Sequence, residues 1–115
     1  MKELMHKWRR HSFSSGTTNG DDFKQFFSEF KTTLKRECKK LGIEVIPFKI
    51  NHYCFTGFVK KDGKYIYFSV GDVRYDGVWF NRILYRTAKH EKDWTGGGNN
   101  WTTLENLVDD INNYF

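Results

Sequence analysis

Apolar residues recur at three- and four-residue steps from Phe23 through Phe26, Phe27, Phe30, Leu34 and Cys38 to Leu41. That spacing draws one stripe along a 3.6-residue helix and is the clearest periodic signal in the chain. Asn19 or Asp21 is placed to cap this helix, Asp21 and Asp22 suit its positive end, and Gly42 is a natural stop. The opposite positions are Lys24, Lys31, Lys35, Arg36, Lys39 and Lys40. They read as a solvated face that also has the composition of a binding face.

After Gly42 the period shortens to two. Ile43 to Ile50 predicts a strand, apolar at 43, 45, 48 and 50, with a slip of phase at Ile46-Pro47. Proline cannot donate to a ladder, so a bulge or an edge position is expected there. His52 to Lys60 predicts a second strand, Lys61-Asp62-Gly63-Lys64 a hairpin, and Tyr65 to Val70 a third strand. Gly71 to Asp76 is irregular, Asp76-Gly77 reads as a turn, and Val78 to Thr87 predicts the fourth strand. Thr102-Thr103-Leu104-Glu105 has the form of a capping box. Leu104, Leu107, Val108 and Ile111 would then line a final helix reaching about Tyr114. At the other end, residues 1–10 predict a short basic helical turn with Leu4, Met5 and Trp8 on one side, and His11 to Gly20 a hydroxyl- and glycine-rich loop. The expected architecture is a single α+β domain over residues 1–115. It is a two-layer arrangement in which an antiparallel sheet of about four strands is flanked by an N-terminal and a C-terminal helix.

Composition makes that core feasible. Aromatic residues are 18% of the chain, with 11 phenylalanines, so a short domain can bury a large apolar area. The net charge of +5 is gathered in Met1 to His11, Lys31 to Lys40 and Arg82 to Lys92, whereas Glu105, Asp109 and Asp110 make the C-terminal end acidic. A polyanionic partner fits this asymmetry; mimicry of DNA, which needs an acidic surface, does not. Cys38 and Cys54 lack metal-ligand spacing, so they read as free core thiols and no metal site is expected. No cofactor motif is present, and the Ser-rich loop lacks the Gly-Lys-Ser/Thr of a Walker loop. No run approaches membrane-spanning length and no apolar leader core follows the N-terminal charges. The expectation is a cytoplasmic protein, a monomer or weak dimer, without membrane contact.

Two constellations could carry chemistry. In the first, His90 stands among Arg86, Lys89, Lys92 and Asp93, with His11 beside Ser12 as a second histidine. A neutral-range acid or base with cations to hold a phosphodiester is enough for metal-independent RNA cleavage, since the 2′-hydroxyl is the nucleophile. The same residues also read as a charged strand exit that pairs its own ions. In the second, Tyr53, Phe55, Tyr65, Tyr67, Tyr75, Trp79 and Tyr85 interleave with strand positions, and sheet aromatics with basic residues can stack unpaired bases. Filling the second face of the sheet is the plainer role. Trp94 and Trp101 bracket a glycine-rich run, with Trp101 expected as a staple before the last helix. The expected contact residues are Arg9, Arg10, Ser12, Ser14, Arg74, Arg82, Lys89, Lys92 and Asn99. The amides and hydroxyls of the loop from His11 to Gly20 also have the composition of an anion nest.

Three pieces, His11-Ser12-Phe13-Ser14-Ser15-Gly16, Gly71-Asp72-Val73-Arg74 and Ile83 to Gly97, resemble a family of small proteins carried on phages, plasmids and conjugative elements of Gram-positive bacteria. The third is the most distinctive, and the likeness spans most of the chain. Proteins of this kind often counter host defence, including anti-CRISPR proteins. The resemblance therefore implies an inhibitor that binds a CRISPR effector nuclease or its guide RNA. A small ribonuclease and a non-inhibitory nucleic-acid-binding accessory protein are the alternatives.

Overall fold

The structure is a computed structural model that describes residues 1–15, 17–71, 82–94 and 97–115. Its elements, in chain order, are helices α1 (Lys2–Trp8) and α2 (Asp21–Lys40), and strands β1 (Glu44–Ile50), β2 (Phe55–Lys61), β3 (Lys64–Val70), β4 (Ile83–Ala88) and β5 (Asn100–Thr102). Helix α3 (Leu107–Tyr114) ends the chain. The α+β class is as expected, but among the described residues the sheet has five strands in the order β1-β2-β3-β4-β5, each pair antiparallel. The expected fourth strand is seen from Ile83; its proposed start at Val78 lies outside the described residues.

The fifth strand changes the reading of Trp101. It is no staple: it pairs with Leu84 in the ladder and is 52% exposed. The hydroxyls of the expected capping box also divide differently. Thr103 Oγ1 accepts the Asn106 amide at 3.3 Å, whereas the Thr102 hydroxyl donates to Asp110 of α3. Helix α3 accordingly starts two residues beyond Glu105.

Helix α2 begins after Gly20, which makes no side-chain cap, and ends in the geometry that glycine permits. Gly42 has φ +72, the Ile43 amide reaches back to the Cys38 carbonyl at 2.9 Å, and the Gly42 amide to that of Lys39 at 3.3 Å. Its stripe is buried from Phe23 to Cys38 and meets Phe55, Val59, Ile66, Phe68, Val70 and Ile83 from the sheet. Phe55 lies within ring-contact range of Phe23, Phe26, Phe27 and Phe30. At Gly57 a Cβ would come within 2.5 Å of the Phe48 ring, so only glycine lets that ring lie on β2. Helix α1 is fastened to α2 through Glu29, which accepts from Lys7 Nζ at 2.9 Å, Trp8 Nε1 at 3.2 Å and Gln25 Nε2 at 3.0 Å. Helix α3 closes the far side of the same face, with Leu107 and Ile111 buried and Tyr114 against Tyr85.

The slip expected at Ile46-Pro47 is a register shift in β1 between Ile46 and Lys49. The β2–β3 hairpin turns through Asp62 (φ 50) and Gly63 (φ 79). Strand β2 starts at Phe55 rather than His52. Asn51 and Cys54 close a tight turn there, with the Asn51 amide on the Cys54 carbonyl at 2.8 Å. Among the described residues no helix is long and apolar enough to cross a membrane.

Candidate functional site

Because strand side chains alternate, the β2 and β3 residues between those of the core face away from the helices. The ladder aligns Lys49, Thr56, Ser69, Leu84 and Trp101 in one cross-strand row, with Phe58, Tyr67 and Arg86 in the next. Among the described residues this outer face carries four cations, each over an aromatic ring. Lys49 Nζ lies 5.4 Å from the Trp94 ring centre, Lys60 Nζ 5.4 Å from Tyr65, Arg82 Cζ 5.1 Å from Trp101 and Arg86 Cζ 4.8 Å from Tyr67. Among the described residues none of these four cations is in an ion pair. Thr56, Phe58 and Tyr67 are buried, so the middle of the face is closed. Among the described residues the indoles of Trp94, 43% exposed, and Trp101 are its exposed rings. Tyr67 titrates above the ordinary phenol value, chiefly from burial, with Ser69 and Arg86 pulling it partly back. Of the other aromatics expected to stack bases, Phe55 is in the core, Tyr53 and Tyr85 pack against it, and Tyr75 and Trp79 lie outside the described residues.

Arg86 organises the loop after β4. Its guanidinium, laid on Tyr67, donates to the Trp94 carbonyl and to Asn99 Oδ1 at 3.3 Å, drawing both ends of the glycine-rich run onto the sheet. Its Nε is buried without a hydrogen-bond partner among the described residues. Gly97, at φ +72, lies so close to β4 that a Cβ would meet Thr87 Oγ1 at 2.5 Å. Between these anchors the charged segment is a self-contained turn. The Lys89 amide donates to Asp93 Oδ2 at 2.9 Å, the Asp93 amide to the His90 carbonyl at 3.1 Å, and the Lys92 amide to His90 Nδ1 at 3.1 Å. His90 Nδ1 thus acts as an acceptor inside its own turn. Lys89, His90 and Lys92 are exposed.

His11 occupies a different site. Its Nε2 is 2.8 Å from Asp22 Oδ2, and its ring packs edge-on against Trp8 and Phe13. The same carboxylate accepts the Ser14 amide at 2.8 Å, the Ser14 hydroxyl at 3.1 Å and the Phe23 amide at 2.9 Å. Burial pushes the Asp22 carboxyl upward, but His11, Ser14 and Phe23 together outweigh it and hold the pKa at about 2. The loop with the composition of an anion nest therefore holds the chain's own carboxylate. Other donors of the loop are engaged as well: the Thr18 amide and hydroxyl bind the His52 and Asn51 carbonyls at 2.9 and 2.7 Å.

These bonds place the loop at the Asn51–Cys54 turn, where β2 begins. His90 follows Ala88, which pairs with Tyr65 beside the β2–β3 hairpin at the other end of the strands. The run from Tyr65 to Val70 alone spans roughly 17 Å at about 3.3 Å per residue. His11 and His90 are not an acid–base pair in this structure, and Arg86 lies with neither histidine but under the loop. Arg9 and Arg10, exposed after α1, and the exposed Ser12 and Ser14 belong to the His11 end. Arg82 and Asn99 belong to the outer sheet face, Lys89 and Lys92 to its rim, and Arg74 lies outside the described residues.

Asp22, Lys49 and Lys60 are the residues that sequence reasoning passed over. Lys49 and Lys60 are legible from strand alternation, which puts them opposite the core positions; in the sequence alone Asp22 shows only as a helix-end charge. Among the described residues no three His, Cys, Asp or Glu side chains are grouped to hold a metal ion. Compared with protein families, curated proteins and solved structures, the chain matches none of them.

Proposed function

We propose that this chain is a binding protein of a mobile element that inhibits an RNA-guided nuclease by taking hold of its guide RNA. The observation that carries this reading is the outer sheet face: four cations outside any described ion pair, each over a ring, with two indoles open to solvent. Single-stranded nucleic acid is held by this combination, in which cations follow the phosphates and aromatic faces stack bases at about 1–3 kcal/mol each. The resemblance of the stretches His11–Gly16, Gly71–Arg74 and Ile83–Gly97 to small mobile-element proteins supports the inhibitory role.

The test is capture of a purified RNA-guided nuclease by the immobilised protein, with and without guide RNA, alongside a DNA-cleavage assay. Guide-dependent capture and loss of cleavage are expected, with both weakened in a Trp101→Ala, Arg82→Ala variant. Absence of capture together with unimpaired cleavage sinks the proposal. Salt-sensitive binding to free RNA without any effect on cleavage replaces it with a non-inhibitory accessory role.

A further inference from the structure

The opposite side of the molecule carries a second, chemically distinct surface. Between α2 and the free edge of β1 runs a furrow whose deeper part, about 330 Å³, is lined by Lys31, Lys35, Val45, Pro47, Phe48 and Ile50. It continues into a hollow of about 350 Å³ bounded by Lys35, Lys39, Gly42 and Val45. Lys31, Lys35 and Lys39 are spaced four apart on α2 and so stand in a row along one wall. Among the described residues none of them is in an ion pair, and Glu44 is the one acid on the lining. The opposite wall ends in Ile50, 53% exposed, the most exposed large apolar residue described.

We infer that this furrow binds an acidic peptide segment of a partner protein, with one bulky apolar side chain of the segment seated against Ile50 and Phe48 and carboxylates meeting Lys31, Lys35 and Lys39. Charge complementarity selects an anionic occupant, and the shape of the lining selects peptide over RNA. Phe27 forms the floor, but it is buried with Lys31 Nζ 4.8 Å above its ring, so its face is not offered to a base. The accessible apolar surface comes from Val45, Pro47 and Ile50 together with the half-buried Phe48, whose ring is already in edge contact with Phe27, Phe30, Phe55 and Phe68, and it fits a Leu or Phe side chain. Continuous strand addition does not fit, because Pro47 supplies no amide and the ladder shifts between Ile46 and Lys49. Recognition therefore runs through side chains. This surface is separate from the outer sheet face, and neither proposal depends on the other.

The test is backbone amide NMR on the full chain, titrated with a synthetic Glu/Asp-rich peptide that carries a central Leu-x-x-Phe. Shifts confined to Lys31, Lys35, Val45, Phe48 and Ile50 are expected. Affinity should fall by about tenfold or more in Ile50→Ser and again in Lys31→Glu, Lys35→Glu, as for an anchor and its charged rim. These positions are exposed or half-exposed, and the amide spectrum itself reports whether each variant is folded. A peptide with Ser for Leu and Phe should bind as weakly as the Ile50→Ser complex. No shift at about 1 mM peptide, shifts elsewhere, or shifts at these residues with an RNA oligonucleotide but not with the peptide each overturn the inference.

Discussion

A carboxylate that accepts from a histidine, a hydroxyl and two backbone amides is held in its charged form, and Asp22 shows the consequence in its pKa of about 2 against an ordinary 3.8. A carboxyl depressed on folding stabilises the fold above its unfolded value and loses that contribution as pH falls through the folded one. Stability should therefore decline between about pH 4 and about pH 2. Asp22→Asn should flatten that decline and cost about 1–2 kcal/mol at neutral pH; urea titrations across the pH series measure both. An unchanged slope would remove Asp22 from the account. The two thiols give a second contrast. Burial, with some help from Glu37, pushes Cys38 up to about 12, whereas Cys54 is only partly buried. A thiol reagent should label Cys54 in the native protein and Cys38 only on unfolding; equal rates would contradict this packing. The core thiol was readable from its place in the helical stripe. The role of Asp22 was not, because its partners lie eight and eleven residues back in a loop with no periodicity.

Among the elements, α2 and the hairpin strands were legible because each carries an uninterrupted period and its own stop signal. Strand β5 was not, since three residues after a glycine-rich run hold no period, and its pairing is decided by Arg86 on the neighbouring strand and by Gly97 in the loop that precedes it. That dependence is testable. Arg86→Lys keeps the charge but not the planar fork that lies on Tyr67 while reaching both Trp94 and Asn99. It should cost about 1–2 kcal/mol and speed amide exchange at Asn100 to Thr102. Gly97→Ala should act on the same strand, costing about 1–3 kcal/mol through its positive φ and the clash with Thr87. If either change leaves β5 protection intact, the loop is held by other contacts. The histidine of this segment attracted a catalytic reading because residue type is visible in sequence and direction is not: its Nδ1 turns inward to the Lys92 amide.

At the scale of the molecule, one layer of helices on one face of the sheet divides the surface into an aromatic, cationic side and an apolar, lysine-walled furrow. The fold class followed from the order of periods. Which face each lysine occupies needed the register. The single core that joins the layers is rich in phenylalanine, and Phe30, fully buried, touches rings from three strands. Phe30→Ala should cost about 3–5 kcal/mol, a large share of the 5–15 kcal/mol or so usual for a domain. Calorimetry should show a melting temperature lowered by well over ten degrees, or no cooperative transition at all, and a shift of only a degree or two would contradict the packing.

The irregularity in β1 has a bearing on how densely this protein can accumulate. A sheet left open at both margins invites copies of itself to join edge to edge. Among the described residues one margin is the three-residue β5 and the other is broken by Pro47 and the shifted register that follows it. Neither offers a run of amides long enough to template a neighbour. Replacing Pro47 by valine, a good strand former, should therefore leave the monomer folded but raise light scattering on concentration, an outcome that static scattering of the two proteins at matched concentration decides.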